Sequence, residues 1–103
     1  MNDCKEYQSQ EKATQKKVEF YIQLGSSMLE MGNEDQAERA YRTAVKIAKR
    51  EAGEDSGVAG CALAELWFFY DSLEREEEAE LARQQLIELI RARYVEVIDQ
   101  KFD

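Results

Sequence analysis

The chain has no proline and no histidine among its 103 residues. At ordinary usage about five prolines belong in a chain of this length. Their absence removes the usual loop punctuation and suits long helices joined by short turns. Without histidine, the commonest general base and metal ligand is missing. Cysteine is scarce: Cys4 and Cys61 only, with no Cys-x-x-Cys. Two cysteines cannot close a four-ligand zinc site without histidine, and a disulfide scaffold would be richer in them. A reduced, cytoplasmic chain is the expectation. No stretch approaches the roughly 18 apolar residues of a membrane span. Residues Met1 to Glu6 lack the apolar run of a signal peptide.

Basic charge is also in deficit, with 14 Lys and Arg against 22 Asp and Glu and a formal net charge of -8. This balance argues against nucleic acid and against anionic membrane as partners. The length suits one small domain with a modest core. The charge is unevenly spread. Basic and acidic residues number four and three in 1–17, five and six in 18–52, none and four in 53–73, two and six in 74–90, and three and three in 91–103. The excess negative charge therefore sits in residues 53–90. It reads either as a solvated helix face or as a field that steers a basic partner.

What is present is helical periodicity. Gly32 followed by Asn33 reads as a helix stop and a new N-cap, with Gln36 at capping-box spacing and Glu34 and Asp35 in the first turn. Gly53, Gly57 and Gly60 loosen the next junction, with Asp55 or Ser56 as N-cap. Asp71 to Arg75 marks the last turn. Four helices are expected, over about 3–31, 34–52, 58–73 and 75–101, each with apolar residues at i, i+3, i+4. The stripes are Val18, Tyr21, Leu24 and Met28; then Ala37, Ala40, Tyr41, Ala44, Ile47 and Ala48; and last Ala79, Ala82, Leu86, Leu89 or Ile90, Tyr94 and Val97. Residues 1–17 read as a polar, partly helical extension.

Shifted by 42 positions, the sequence falls on itself. Leu24 meets Leu66, Ala37-Glu38 meets Ala79-Glu80, Ala40 meets Ala82, and Ala44 meets Leu86. Two helical hairpins of one period signal a solenoid. Tyr21, Leu24, Gly25, Met28, Gly32, Ala37, Tyr41 and Ala44 resemble the tetratricopeptide repeat pattern in type and spacing. Leu63, Leu66, Trp67, Tyr70, Glu74, Ala79, Arg83 and Leu86 form a degenerate second copy. It departs at Trp67, Glu74 and Arg83, where small, Gly and aromatic residues belong. The 42-residue period is similar to the long variety in kinesin light chains. The expected fold is all-α: two antiparallel helix-turn-helix hairpins and an extended last helix. Repeat one spans 18–52 and repeat two 58–93, with an extension over 94–103, in one domain from 18 to 103. A generic four-helix bundle is the alternative.

No catalytic residue, metal or cofactor is expected. There is no phosphate loop and no Ser-His or Cys-His arrangement. The acids at Glu76-Glu77-Glu78 and Glu34-Asp35 lie at helix N-termini, where the macrodipole favours them. The tetratricopeptide resemblance implies a peptide-binding groove lined by the first helix of each pair. Carried over, its residues are Glu19, Ile22, Gln23, Ser26 and Glu30, then Cys61, Glu65, Phe68 and Ser72. Family members that clamp a carboxylate tail use Lys, Asn and Arg at such positions; here stand Glu, Gln, Ser and Phe, so that function is not carried over. An acidic groove implies a partner protein or peptide with basic or apolar side chains.

In the run Trp67-Phe68-Phe69-Tyr70, four neighbours span about 300° of helix and cannot share one core. Phe68 is the one left to the groove, as a contact anchor or packed with Phe69. The last helix continues through Tyr94, Val97, Ile98 and Phe102 without a breaker. The N-terminal extension, a folded-back tail or a second copy of the chain would cover that surface. The expected function is non-catalytic protein–protein interaction, as adaptor, chaperone or assembly scaffold. The alternatives are a small secretion-type chaperone and a self-association module, the latter acting within a longer chain.

Overall fold

The computed structural model describes the backbone of residues 2–102 and the side chains of residues 12–94. Four α-helices run in order: α1 (Asn2–Glu30), α2 (Glu34–Ile47), α3 (Gly57–Ser72) and α4 (Glu76–Phe102). The described backbone contains no strand. The fold is all-α, as the periodicity requires. α1 is continuous through residue 17, and no break marks the end of the polar stretch.

The two hairpins are antiparallel. Gly25 meets Tyr41, and eleven positions earlier on α1 Thr14 reaches forward to Glu51. In the second hairpin Gly60 meets Leu86 and Leu89, while Gly57 meets Arg93. α1 packs on α2, α3 on α4, and α2 on α3, with a lighter α1–α3 contact. Among the described residues α4 packs against neither α1 nor α2. A closed bundle would bring the first and last helices together. This is instead an open stack, 49 × 31 × 15 Å.

The two helix–helix turns share one pattern of backbone hydrogen bonds. At the α1–α2 turn, Gly32 N–H donates to Leu29 and Asn33 N–H to Met28. At the α3–α4 turn, 42 positions on, Glu74 N–H donates to Asp71 and Arg75 N–H to Tyr70. Both are Schellman turns, which need one residue in the left-handed region. Gly32 supplies it at φ 81°, and Glu74 at φ 58°. Glycine adopts that backbone freely; Glu74 is the one described non-glycine residue that does so.

Caps follow the residue types. The Asn33 side chain accepts from Gln36 N–H, and Ser56 Oγ accepts from Ala59 N–H at 3.1 Å. Ser56, not Asp55, therefore caps α3. The second segment departs from expectation. Its α-helix stops at Ile47 and gives way to a π-helical turn over Ala48–Ala52. There Ala48 is fully buried, and Glu51 accepts bonds from Thr14 and Lys17 of α1. The wider turn coincides with that tie, and Gly53 at φ 110° ends it.

The core comprises Val18, Ala37, Tyr41, Ala44, Val45 and Ala48 of the first hairpin with Ala59, Ala62, Leu63, Leu66, Phe69, Tyr70, Ala79, Ala82 and Leu89 of the second. On α4 the stripe takes Leu89 rather than Ile90, and Tyr94 is 66% exposed rather than inward. The reason is length: Arg93 donates to the Asp55 carbonyl at 2.9 Å, just before α3 begins, so α4 has outrun its partner there.

Left-handed backbone costs a residue with a side chain about 1–2 kcal/mol. Glu74→Gly is therefore expected to stabilise the fold by about 1 kcal/mol and raise Tm by about 4–8 °C. Gly32→Ala should lower stability by a similar amount. Thermal melts of both variants beside the parent check this; an unchanged or lower Tm for Glu74→Gly would contradict it.

Candidate functional site

All the residues expected to line a groove on the first helix of each hairpin reach the surface. Glu19, Gln23, Ser26 and Glu30 on α1, and Cys61, Glu65, Phe68 and Ser72 on α3, are exposed; Ile22 is half-buried against the core. The structure brings two of them together from different helices. Burial pushes the Tyr41 phenol up; the Glu65 carboxylate adds to the rise and the Ser26 hydroxyl opposes it. Ser26 of α1 and Glu65 of α3 thus both act on one buried tyrosine of α2. Glu65 and Phe68 are three apart on one face of α3, and Ser72 follows four later. The Ser72 hydroxyl donates to its own helix at the Phe69 carbonyl, 2.8 Å away, so its donor is occupied. Glu19 accepts from Gln15.

The aromatic run divides as helix geometry requires. Phe69 and Tyr70 are buried, Trp67 is half-buried against the core, and Phe68 is 65% exposed. Of the two readings of Phe68, the structure selects the exposed one. Phe20 of α1, 60% exposed, was not among the sequence-derived candidates. Its signal is its neighbour: Tyr21 belongs to the inward stripe, and one step of 100° turns Phe20 away.

A polar cluster joins the hairpins beside this face. Glu38 of α2 accepts from the Tyr70 hydroxyl at 2.7 Å and from the Arg75 guanidinium at 3.1 and 3.3 Å. Arg75 also binds Glu78 and lies 5.0 Å from the Tyr70 ring centroid. Burial raises the Glu38 carboxyl, but the Tyr70 and Arg75 bonds and the charges of Arg75 and Arg42 outweigh it and hold it below the ordinary range. Burial, then the bond to Glu38, pushes the Tyr70 phenol up to about 12. The Arg75 guanidinium is raised by its bond to Glu78 and then by Glu38. No periodicity in the sequence marks this cluster, because its members come from three helices and a turn.

A second feature was also missed. An open cavity of about 640 Å³ lies between α2 and α4, lined by Arg39, Arg42, Lys46, Lys49 and Gln85, with Val45 and Leu66. It is on the face of the second helices, not the first. The signal available was the spacing 39, 42, 46, 49, which is one stripe of a helix.

Among the expected self-contact residues, Tyr94 is exposed. Val97, Ile98 and Phe102 lie outside the residues whose side chains are described. Among the described residues no three His, Cys, Asp or Glu side chains converge as metal ligands, and no helix is long and apolar enough to cross a membrane. Compared with known proteins, the chain matches no family model, no curated protein and no solved structure.

The raised Tyr70 phenol fixes the sign of an alkaline effect. An ordinary phenol ionises near pH 10, so the unfolded chain deprotonates first. The stabilisation is complete below pH ~10 and is lost as pH rises to about 12. Tyr70→Phe is expected to lower stability by about 1 kcal/mol at pH 7 and to shrink the alkaline loss. Denaturant titrations at pH 7 and across pH 9–12 measure both; parallel losses in parent and variant would contradict the assignment.

Proposed function

We propose that the chain is a non-catalytic protein–protein interaction module that holds a partner segment on the face shared by α1 and α3. The observation that carries this reading is Phe68, a large aromatic left 65% exposed while its neighbours Phe69 and Tyr70 are buried. Exposed aromatics on a polar face are where binding energy concentrates. Glu65 and Ser72 surround it on α3, and Glu19, Gln23 and Ser26 stand on α1. The carboxylates favour a segment with basic and apolar side chains. The tetratricopeptide resemblance points to the same face, since it is the first helix of each pair. The two Schellman turns with one 42-residue spacing support a repeat. In this reading the protein is a cytoplasmic adaptor, chaperone or scaffold of tetratricopeptide type, without catalytic residues or cofactor.

The test is affinity capture from native lysate with the parent beside Phe68→Ala and Glu65→Lys. Both positions are exposed, so each variant should keep its fold, checked by circular dichroism. Both should lose the captured partner. An unchanged captured set would reject this face.

A second reading has its own observation. Ile90 is 51% exposed, whereas its repeat equivalent Ala48 is fully buried in the π-helical turn that packs on α1 and α3. Tyr94, 66% exposed, extends the same helix. In an end-to-end stack a second copy would cover that end of the solenoid. Light scattering is then expected to show an oligomer that Ile90→Ser with Tyr94→Ser reduces to a monomer. A strict monomer at high concentration would remove the self-association reading and leave the first intact.

A further inference from the structure

The cavity between α2 and α4 is cationic in a chain whose net charge is -8. Arg39, Arg42 and Lys46 recur at three- and four-residue steps along α2, and Lys49 of the π-helical turn follows three later, so the four form one row. At 1.5 Å per residue the row is about 15 Å long. The nearby Glu38 carboxylate feels the charge of Arg42, but its hydrogen bonds go to Tyr70 and Arg75. Among the described residues the ion pairs are Lys17–Glu51, Arg75–Glu38, Arg75–Glu78 and Arg83–Glu80, and none uses a cation of this row. The one bond that the row makes across the cavity is to a neutral group: Lys49 Nζ donates to Gln85 Oε1 of α4 at 3.2 Å. Beneath the cations the lining is apolar, from Val45 and Leu66.

Four cations, none of them in an ion pair among the described residues, aligned over an apolar lining, are built to receive negative charge and apolar side chains together. We propose that the α2–α4 groove binds an acidic peptide segment, with carboxylates on the Arg39–Lys49 row and an apolar side chain over Val45 and Leu66. The row has the length of four to five extended residues, at about 3.3 Å each. The groove is open and bordered by that row, which fits a chain segment. A nucleic acid would place a continuous run of phosphates in the field of a strongly acidic protein. This surface is distinct from the α1–α3 face and opposite in the charge it selects.

The experiment uses the full chain and a fluorescein-labelled ten-residue peptide of glutamate interspersed with leucine. Fluorescence anisotropy at low and moderate salt reads the affinity. The expected result is saturable binding that weakens as salt rises and falls about tenfold or more in Arg42→Glu with Lys46→Glu. Arg42→Gln with Lys46→Gln should give a smaller loss, and circular dichroism confirms the fold of both. Phe68→Ala should bind the peptide as the parent does, which separates this groove from the α1–α3 face. No binding, equal binding of a lysine–leucine peptide, or indifference to the charge reversals would overturn the proposal. So would tighter binding of a labelled ten-nucleotide single strand, or full displacement of the peptide by millimolar inorganic phosphate at constant ionic strength. A dimer at low salt that the charge reversals dissolve would assign the groove to a second copy instead.

Discussion

The joining of the two hairpins turns on the ring of Tyr41. It fits because residue 25 has no side chain: a Cβ there would stand 2.8 Å from Cε2 and 2.9 Å from Cδ2 of that ring. Carbon atoms do not approach so closely in a packed interior. The same ring lies 5.0 Å, centroid to centroid, from Phe69 of α3. One side chain thus holds α1, α2 and α3 in register. Its energy outweighs the polar ties around it. An aromatic pair contributes about 0.5–1.5 kcal/mol beyond the area it buries. The exposed Lys17–Glu51 pair belongs to a class that contributes about 0–1 kcal/mol. The Glu38–Tyr70–Arg75 cluster acts differently. It is half-buried and charge-assisted, so its effect is felt most when one member is removed and the others are left without partners.

The second hairpin copies the backbone of the first without its central contact. Forty-two positions after Gly25 and Tyr41 stand Trp67 and Arg83. Trp67 is half-buried and Arg83 is exposed, paired with Glu80. The turn survives the change better than the packing does, because a Schellman turn requires only two backbone bonds and one left-handed residue. Glu74 meets that requirement at an energetic cost that Gly32 avoids. The surface of α4 that matches the Tyr41 surface of α2 therefore carries a charge and the exposed side chains of Ile90 and Tyr94, where the first hairpin has buried Ala48 and half-buried Ala52.

Sequence periodicity resolved this fold because each helix stripe is a local property. Ala37, Ala40, Tyr41 and Ala44 announce their face within two turns of helix. The caps were equally local, apart from the choice between Asp55 and Ser56. The π-helical turn at Ala48–Ala52 was not legible, since its tie, Glu51 to Thr14, spans 37 positions. Tyr94 falls on the apolar stripe of α4 and yet is exposed, as expected of a surface beyond the end of the hairpin, for a related reason. A periodic apolar residue is buried only where a partner helix reaches it, and α3 begins beside Arg93. The exposure of Phe68 followed from counting 100° steps, whereas the influence of Ser26 and Glu65 on Tyr41 required the hairpins to be placed.

Charge was the property least legible by segment. Residues 18–52 sum almost to neutrality, with five basic and six acidic groups. That total conceals a division by face. Glu38 turns toward Tyr70 and Arg75, Glu51 toward α1, and Glu34 and Asp35 sit at the α2 N-terminus. With the acids spent on caps and ties, the cations at 39, 42, 46 and 49 are left on one side, next to a gap that α2 and α4 do not close. A net charge is a sum over the chain, but a partner feels the field of one face. The acidic α1–α3 face and the basic α2–α4 groove are therefore consistent with one composition, and a single chain of this kind can present opposite charge to two segments at once.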